Sequence, residues 1–469
     1  MSGDSNRAPS GLRGGLGNRQ MTMIAIGGVI GAGLFVGSGK AIGLAGPGAL
    51  LAYLGVGILV VLVMRMLAEM AVAQPETGSF SSYASRELGS WAGLSVGWLY
   101  AYQWCVTVAF EAIAGAAIVH HAIPAIPSWL AALAMMLLLI AVNLVRVSSF
   151  GEFEFWFALI KVLAIVAFIL LGLAALFGLL PGIRSPGLSN LVADGGFLPN
   201  GGISVVLAAL VVVFSFFGTE VVTIAAGEAV DPVHAVRRGM SSVVWRILLF
   251  YLGSIFIVVT LLPWNSTGVA QSPYTAVLRH IGIPQAAGVM DLIVLTAVLS
   301  CLNSGIYSSS RMLYALARKG EAPSAFTRTR RGVPFLAVLA ASSAGLLAVV
   351  ANYFLPTDAV FEFLLDSSGS VAVVVYLCIT ATQFRGRRRL ERERPGGLSV
   401  RMWAFPYLTI LAALALLAVI IGMVFDQDSR RSLLLTLLVT GFAVLAGVLH
   451  QRRRRVREPA SSQPAKEHT

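Results

Sequence analysis

Three ionisable residues lie inside long apolar stretches of this sequence. Glu111 lies in VAFEAIAGAAIV, Lys161 in WFALIKVLAIVAFILLG and Glu220 in VVVFSFFGTEVVTIAA. Because ionised groups are costly in apolar surroundings, such residues are candidates for binding a charged ligand or exchanging a proton. Structural roles stay open for all three. The glutamates could accept hydrogen bonds from neighbouring helices, and Lys161 could extend its side chain to the end of its apolar segment.

The amino-acid composition indicates which class of protein contains these apolar stretches. Of the 469 residues, 57% are hydrophobic and 12% are charged, and the mean hydropathy is +0.82. A water-soluble protein of this length needs more charge to cover its surface. The sequence therefore predicts a polytopic membrane protein, with loops too short to hold a soluble catalytic domain.

Apolar runs of about 20 residues can cross the ~30 Å hydrocarbon core of a membrane as helices. The sequence predicts an all-α integral membrane protein with a cytoplasmic tail at 1–20, a transmembrane domain at 21–450 and a basic cytoplasmic tail at 451–469. The domain contains twelve predicted spans, numbered 1 to 12 in chain order: 21–43, 46–66, 92–119, 128–145, 155–180, 202–227, 242–262, 286–317, 334–355, 360–383, 402–424 and 432–450.

The distribution of basic residues predicts the orientation. With both termini in the cytoplasm, the inner loops and tails hold most of the arginines, including the clusters at 385–401 and 452–466. This positive-inside bias predicts a multi-pass protein of the cell membrane. It explains the net charge of +12 without a nucleic-acid partner, and the clusters could also contact anionic membrane lipid. The outer loops hold only Lys40, Arg184, Arg279, Arg430 and Arg431.

Spans 1 and 6 contain residues that disfavour a continuous helix. Span 1 includes MIAIGGVIGAGLFVGSGKAIG, with glycines on more than one face. These glycines could let helices pack closely or let the chain unwind within the membrane; their spread over several faces favours unwinding. In span 6, Gly218 follows two phenylalanines and precedes Glu220.

Spans 1 and 6 are five positions apart in the order of spans. Breaks at corresponding positions of two halves are typical of transporters with inverted repeats, which bind substrate at the breaks. We therefore predict a 5+5 inverted repeat of spans 1–5 and 6–10, with spans 11 and 12 peripheral. Free N–H groups at one broken end attract a carboxylate, and free carbonyls at the other attract an ammonium, so such a site suits a zwitterion.

Several long motifs resemble the amino acid permeases of the amino acid–polyamine–organocation superfamily. They occur in order between about residues 18 and 450, and the blocks LVVLVMRMLAEMAVA, WRILLFYLGSIFIVV and FLLDSSGS are most similar to bacterial γ-aminobutyrate (GABA) permeases. The resemblance implies secondary active import of GABA or a related amino acid. The other motifs are IGGVIGAGLFVGS, AGPGALLAYL, MRMLAEMAVAQPETGSFSSYA, GEFEFWFALIKVLAI, FSFFGTEVVTIAAGEAVDP and SCLNSGIYSSSRMLYALARKGEAP.

The resemblance also implies roles for residues at both breaks. In span 1, GAGLF matches the turn that binds the substrate carboxylate, so the N–H groups of Ala32 and Gly33 should hold it, with Gly31 setting the turn. Ala32 replaces the serine or threonine of some members, which leaves the backbone donors to hold the carboxylate. The carbonyls predicted to face the substrate ammonium are those of Val29, Phe214 and Phe217.

The same resemblance places other polar residues near the site. Phe214 matches an aromatic gate, and Glu220 matches the acidic residue that follows the span 6 break. Glu111 could approach the amino end of the substrate. A structural bond to a neighbouring helix stays equally open for Glu111.

Lys161 maps to the place where sodium-coupled relatives of this fold bind Na⁺. An ammonium there could replace the cation and bond the freed carbonyls of span 1. This predicts proton symport, with Lys161 as the coupling residue or as a lock on the conformation. A permanently charged strut is the alternative. Three residues of span 8, Ser300, Asn303 and Ser304, could face the broken part of span 1 or simply join helices.

The remaining alternatives concern the activity itself. A permease for aromatic amino acids, proline or asparagine, or an amino acid exchanger, would carry much of the same sequence. A sensor of transporter shape is disfavoured because no signalling domain is visible. We expect no enzymatic activity, no cofactor, no bound metal and no nucleic-acid partner, and the sequence does not predict an oligomeric state.

Overall fold

The computed structural model describes residues 30–457 except 75, 77–78, 146, 182–184, 222–246, 394, 396 and 426. Val29, the predicted tail 1–20 and parts of spans 1, 6 and 7 lie outside the described residues. Regular secondary structure in the described part is helical, apart from one isolated β-bridge between Arg330 and Val333.

Sixteen α-helices are described, together with a π-helical segment at Ile247–Gly253. They are α1 Ala32–Phe35, α2 Gly37–Ala45, α3 Ala49–Ala73, α4 Ser79–Glu87, α5 Ser90–Ala122, α6 Ser128–Val145, α7 Val147–Leu176, α8 Gly201–Phe216, α9 Ser254–Leu261, α10 Thr267–Gln271, α11 Pro273–His280, α12 Pro284–Arg318, α13 Phe335–Phe354, α14 Thr357–Glu393, α15 Tyr407–Gly422 and α16 Gln427–Arg457.

Nine segments of the described chain are long and apolar enough to cross a membrane. The first, Ala32–Ala73, contains residues of predicted spans 1 and 2 around a short turn at Gly46–Gly48. Two shorter apolar helices, Gly201–Phe216 and Leu249–Leu261, overlap predicted spans 6 and 7. The protein is thus a multi-pass helical membrane protein. The count of twelve spans and the inverted repeat stay predictions.

Close approach of helices explains several glycines. A Cβ atom on Gly39 would lie 2.5 Å from the carbonyl oxygen of Val269, and one on Gly33 would lie 3.0 Å from Cα of Ser215. Close packing therefore explains these two glycines of span 1. Unwinding of span 1 stays a prediction.

A buried ion pair joins α3 to α14 away from the helix breaks. Glu69, which is 1% exposed, accepts hydrogen bonds from Arg387 Nη1 at 2.6 Å and Gln383 Nε2 at 2.9 Å. It also accepts the backbone N–H of Met402, just before α15. Both carboxylate oxygens are therefore bonded, and three segments are fixed to one side chain.

The last two helices are the least buried of the nine segments. The buried share of their most apolar window is 33% for Tyr407–Phe425 and 22% for Ser429–Arg453, against 61% for Ser90–Ala122. Helix α16 is anchored to α5 where Ser95 Oγ donates to the carbonyl of Ala443 at 3.1 Å. It continues to Arg457, seven residues into the predicted C-terminal tail.

Candidate functional site

In the described part of span 1, Gly31 precedes the first residue of a helix. Gly31 is extended (φ −132°, ψ −155°), and α1 starts at Ala32. The Ala32 N–H donates to both carboxylate oxygens of Glu111 at 3.1 Å. A Cβ atom on Gly31 would lie 2.3 Å from Glu111 Oε1 and 2.7 Å from Cys301 Cβ. Glycine is therefore required for a carboxylate to come this close to the chain.

Span 6 is interrupted after Phe216, where α8 ends. Phe217 is extended, and Gly218 has φ +101°, in the left-handed region that favours glycine. The Gly218 N–H donates to the two oxygens of Glu220 at 3.0 and 3.1 Å, and the Tyr376 hydroxyl donates to Glu220 Oε2 at 3.4 Å. The buried Glu220 carboxylate thus holds the turn and links it to α14.

The described part of span 1 contacts span 6 directly. The Ser215 hydroxyl, in the last turn of α8, donates to the carbonyl of Gly33 at 2.6 Å. The Tyr251 hydroxyl donates to the carbonyl of Ser215 at 2.9 Å. These bonds pair backbone groups that a broken helix leaves exposed, as a buried peptide group requires.

A cavity of about 10 Å³ lies between α1, the end of α8, α5 and α12. A space of this size holds about one water molecule, so an amino acid can enter only when the surrounding helices move apart. Four residues predicted to form the site line this cavity together: Gly33, Glu111, Phe214 and Phe217. The full lining is Gly33, Thr107, Glu111, Phe214, Ser215, Phe217 and Cys301.

Two groups of aromatic rings flank this cavity. Phe214 packs on Phe110 with ring centres 4.8 Å apart, and Phe110 packs on Phe361 at 4.6 Å. Phe361 and Tyr376 both belong to α14 and are separated by about 22 Å of helix, so the two groups lie at different depths. The rings packed on Phe217 are Tyr100 at 5.5 Å, Trp104 at 5.6 Å and Tyr376 at 6.2 Å.

Lys161 on α7 is fully buried beside the start of α1. Its Nζ donates to the carbonyl of Ile30 at 3.0 Å and to Ser300 Oγ at 2.7 Å. The ammonium therefore bonds a backbone carbonyl just before the helix start, on the opposite side of Gly31 from the Ala32 N–H. Its complete burial shows that it does not extend to the membrane surface, which was one of the alternatives.

The other polar residues of span 8 lie away from the cavity. The Asn143 side chain donates to Asn303 Oδ1 at 2.7 Å. Asn303 and Ser304 are buried beside Glu154 and are not among the cavity-lining residues. These residues therefore belong to the surroundings of Lys161 and Glu154.

Four residues of the site were missed from the sequence. Three of them are small side chains in apolar runs, where they carry no signal of their own: Thr107, Ser215 and Cys301. Glu154 lies seven residues before Lys161, on the same side of α7, and a helical projection would have placed the two together. It accepts the Ser300 hydroxyl at 2.6 Å and is fully buried.

Comparison with known proteins decides the family. The sequence matches the model for amino acid permeases over residues 20–459. The chain belongs to the amino acid permease family. This permease is therefore a transporter and not an enzyme, and amino acids are its class of substrate.

The permease is similar to several named transporters over most of its length. It is 51% identical to a γ-aminobutyric acid permease of Bacillus subtilis over 460 residues, covering 98% of both chains. Identity is 48% with a γ-aminobutyric acid permease of Escherichia coli, covering 91% of this chain and 92% of the relative. An aromatic amino acid transport protein, AroP, of Corynebacterium glutamicum is 40% identical, covering 94% and 95%.

A solved structure shows the same fold. The manganese transporter of Eremococcus coleocola aligns with a TM-score of 0.57 at 13% identity, covering 96% of this chain and all of that one. At this identity the likeness concerns the arrangement of helices only.

Proposed function

We propose that this permease imports GABA or a closely related amino acid into the cell by proton symport, through alternating access to the site between the two breaks. The single observation that carries the proposal is the pair of bonds from the Ala32 N–H to the Glu111 carboxylate. A carboxylate already lies where the resemblance to permeases expects the carboxylate of the substrate. The near-full-length identity to two GABA permeases supports the choice of substrate.

The geometry suggests how a substrate would bind. In the closed site Glu111 occupies the Ala32 N–H, so an incoming carboxylate must displace it. The freed Glu111 carboxylate can then accept the ammonium group of the same substrate, because GABA carries its two charges at opposite ends. One side chain thus holds the site closed without substrate and pairs with the substrate once it has entered.

The aromatic rings supply candidate gates for alternating access. Under the predicted orientation, with α5 starting at the cytoplasm, Tyr100 and Trp104 lie on the inner side of the cavity and Phe110 on the outer side. A site of about 10 Å³ must expand before it can hold an amino acid. Separation of the Phe214 group would open it outward, and separation of the Phe217 group would open it inward.

Competition for uptake tests the substrate class. Purified permease in liposomes should accumulate labelled GABA under an inward proton gradient. Unlabelled GABA and β-alanine should compete far more strongly than proline or phenylalanine, because the site must match the distance between the two charges. Stronger competition by phenylalanine would instead favour the aromatic type. Uptake that requires an amino acid inside the liposomes and does not respond to the proton gradient would favour an exchanger.

The double role of Glu111 gives a sharper prediction. Glu111→Gln should raise the KM for GABA about tenfold or more, because a charge-assisted hydrogen bond is lost. Inhibition by butyrate, which lacks the amine, should be unchanged or stronger, because the competing carboxylate is gone. Uptake and inhibition constants in the same liposomes measure both effects. Equal weakening of GABA and butyrate would contradict the role of Glu111 at the amine.

A further inference from the structure

The surroundings of Lys161 contain a second ionisable group that the proposed transport mechanism leaves unused. Glu154 is fully buried on α7, seven residues before Lys161. Burying a charged carboxylate away from water costs free energy unless other groups compensate its charge. Its position therefore calls for an explanation in terms of the groups around it.

One hydroxyl connects the two charges. Lys161 Nζ donates to Ser300 Oγ at 2.7 Å, and Ser300 Oγ donates to Glu154 Oε1 at 2.6 Å. Both bonds run in the same direction, from the ammonium through the hydroxyl to the carboxylate. A serine hydroxyl can donate and accept at once, so this arrangement is a continuous route for a proton.

The other ionisable groups around Lys161 fit this role less well. Glu111 on α5 and Cys301 on α12 are close enough to Lys161 to interact with it electrostatically. Both oxygens of Glu111, however, accept the Ala32 N–H. Glu154 is the carboxylate that Ser300 joins to the ammonium.

We propose that Glu154 exchanges a proton with Lys161 through the Ser300 hydroxyl during transport. In this step Lys161 Nζ gives a proton to Ser300 Oγ while the Ser300 O–H proton passes to Glu154 Oε1. The ammonium becomes an amine, the carboxylate becomes a carboxylic acid and the serine is unchanged. The pair has no net charge before or after the step, so no isolated charge forms in the membrane interior.

This exchange would deepen the proposed proton symport, on which it rests. From the neutral pair, a proton from outside binds the Lys161 amine while the proton on Glu154 leaves to the inside, which restores the ammonium and the carboxylate. The relay then forms the neutral pair again for the next cycle. Under the predicted orientation, α7 enters from the cytoplasm, which places Glu154 about 10 Å nearer the inner side than Lys161. Asn303 and Ser304, one turn further along α12, lie beside the carboxylate on that side.

The test compares two readouts in liposomes that contain purified full-length protein. One is the accumulation of labelled GABA driven by an inward proton gradient, followed together with proton entry by a dye inside the liposomes. The other is GABA counterflow without a gradient, which needs no net proton transfer. Glu154→Gln and Ser300→Ala should each reduce proton-driven accumulation about tenfold or more, because the route loses an acceptor or its bridge.

Counterflow by these variants should stay within about threefold of the wild type, since the substrate groups are unchanged. Ser300→Thr, which keeps a hydroxyl, should recover coupling. Glu152→Gln is the matched control, because Glu152 is an exposed glutamate two residues away that accepts the Trp156 indole N–H. It should behave as the wild type.

Several results would overturn the relay. Proton-driven accumulation that persists in Glu154→Gln would do so, as would an equal loss of both readouts in Glu154→Gln and Ser300→Ala when both elute as folded protein. If Glu154→Gln does not fold, Ser300→Ala and Ser300→Thr decide alone. A wild-type protein without proton-driven uptake would overturn proton symport itself, and the relay with it.

Discussion

Two buried pairs of opposite charge differ in how their members meet. Arg387 Nη1 lies 2.6 Å from Glu69 Oε2 in direct contact, and the other oxygen of Glu69 is bonded by Gln383. Lys161 and Glu154 are instead separated by the hydroxyl of Ser300. An arginine keeps its proton in proteins, whereas a buried lysine gains and loses one readily. The comparison teaches that the first pair suits a permanent joint between helices and the second suits a charge that changes.

Removing the arginine of the Arg387–Glu69 pair should have the largest effect, a loss of folding stability. Arg387→Met leaves Glu69 buried without its cation, which should destabilise the folded protein by about 3–5 kcal/mol. The measurement is the thermal stability of detergent-purified protein, followed by the loss of the monodisperse peak. The control is Arg388→Met, an exposed neighbour that stacks 4.3 Å over the ring of Phe384.

The joint can also be tested by removing both charges. Arg387→Met combined with Glu69→Leu should recover much of the lost stability, because no unpaired charge stays buried. A double variant as unstable as Arg387→Met would show that the two side chains stabilise the protein by more than the pairing of their charges.

Removing the second cation should affect coupling more than folding. Lys161→Met should reduce proton-driven accumulation of GABA about tenfold or more, while counterflow continues. Lys161→Arg keeps the charge but cannot release a proton, so it should also fail to couple. Uptake by liposomes with and without a proton gradient measures both. Coupling at the wild-type rate in Lys161→Met would contradict a coupling role, and full coupling in Lys161→Arg would favour a permanently charged strut.

The smallest effect is expected at a third pair, which is partly exposed. Arg389 Nη2 lies 2.6 Å from Glu87 Oε1, and the Arg389 side chain is 32% exposed. Solvent weakens such a pair, so Arg389→Gln should change stability by about 1 kcal/mol or less. Thermal stability measured beside Arg387→Met gives the contrast. Equal destabilisation by the two substitutions would remove burial as the reason for the difference.

The sequence predicted the general architecture and the ionisable residues well. Long apolar runs require helices in a membrane, and a charge inside such a run is conspicuous, which is why Glu111, Lys161 and Glu220 were found. Gly31 and Gly218 were also singled out in the sequence. Gly31 directly precedes α1, and Gly218 follows the end of α8 with a positive φ.

The contacts that connect these residues could not be predicted in the same way. The bond between Ser215 and Gly33 joins residues 182 positions apart, and hydroxyls in apolar runs are common enough to carry little information. Glu154 lies one residue before predicted span 5 (155–180), but α7 begins at Val147 and places it well inside the helix. The displacement of Glu111 by substrate depends on a side-chain position that only the folded structure gives.

One measurement tests the central claim of amino acid–proton symport directly. Addition of GABA outside liposomes containing the wild-type permease, with no gradient imposed, should acidify the interior, because each substrate molecule would bring a proton with it. The interior dye should respond to GABA and stay silent with liposomes lacking protein. GABA uptake without any acidification would contradict the account.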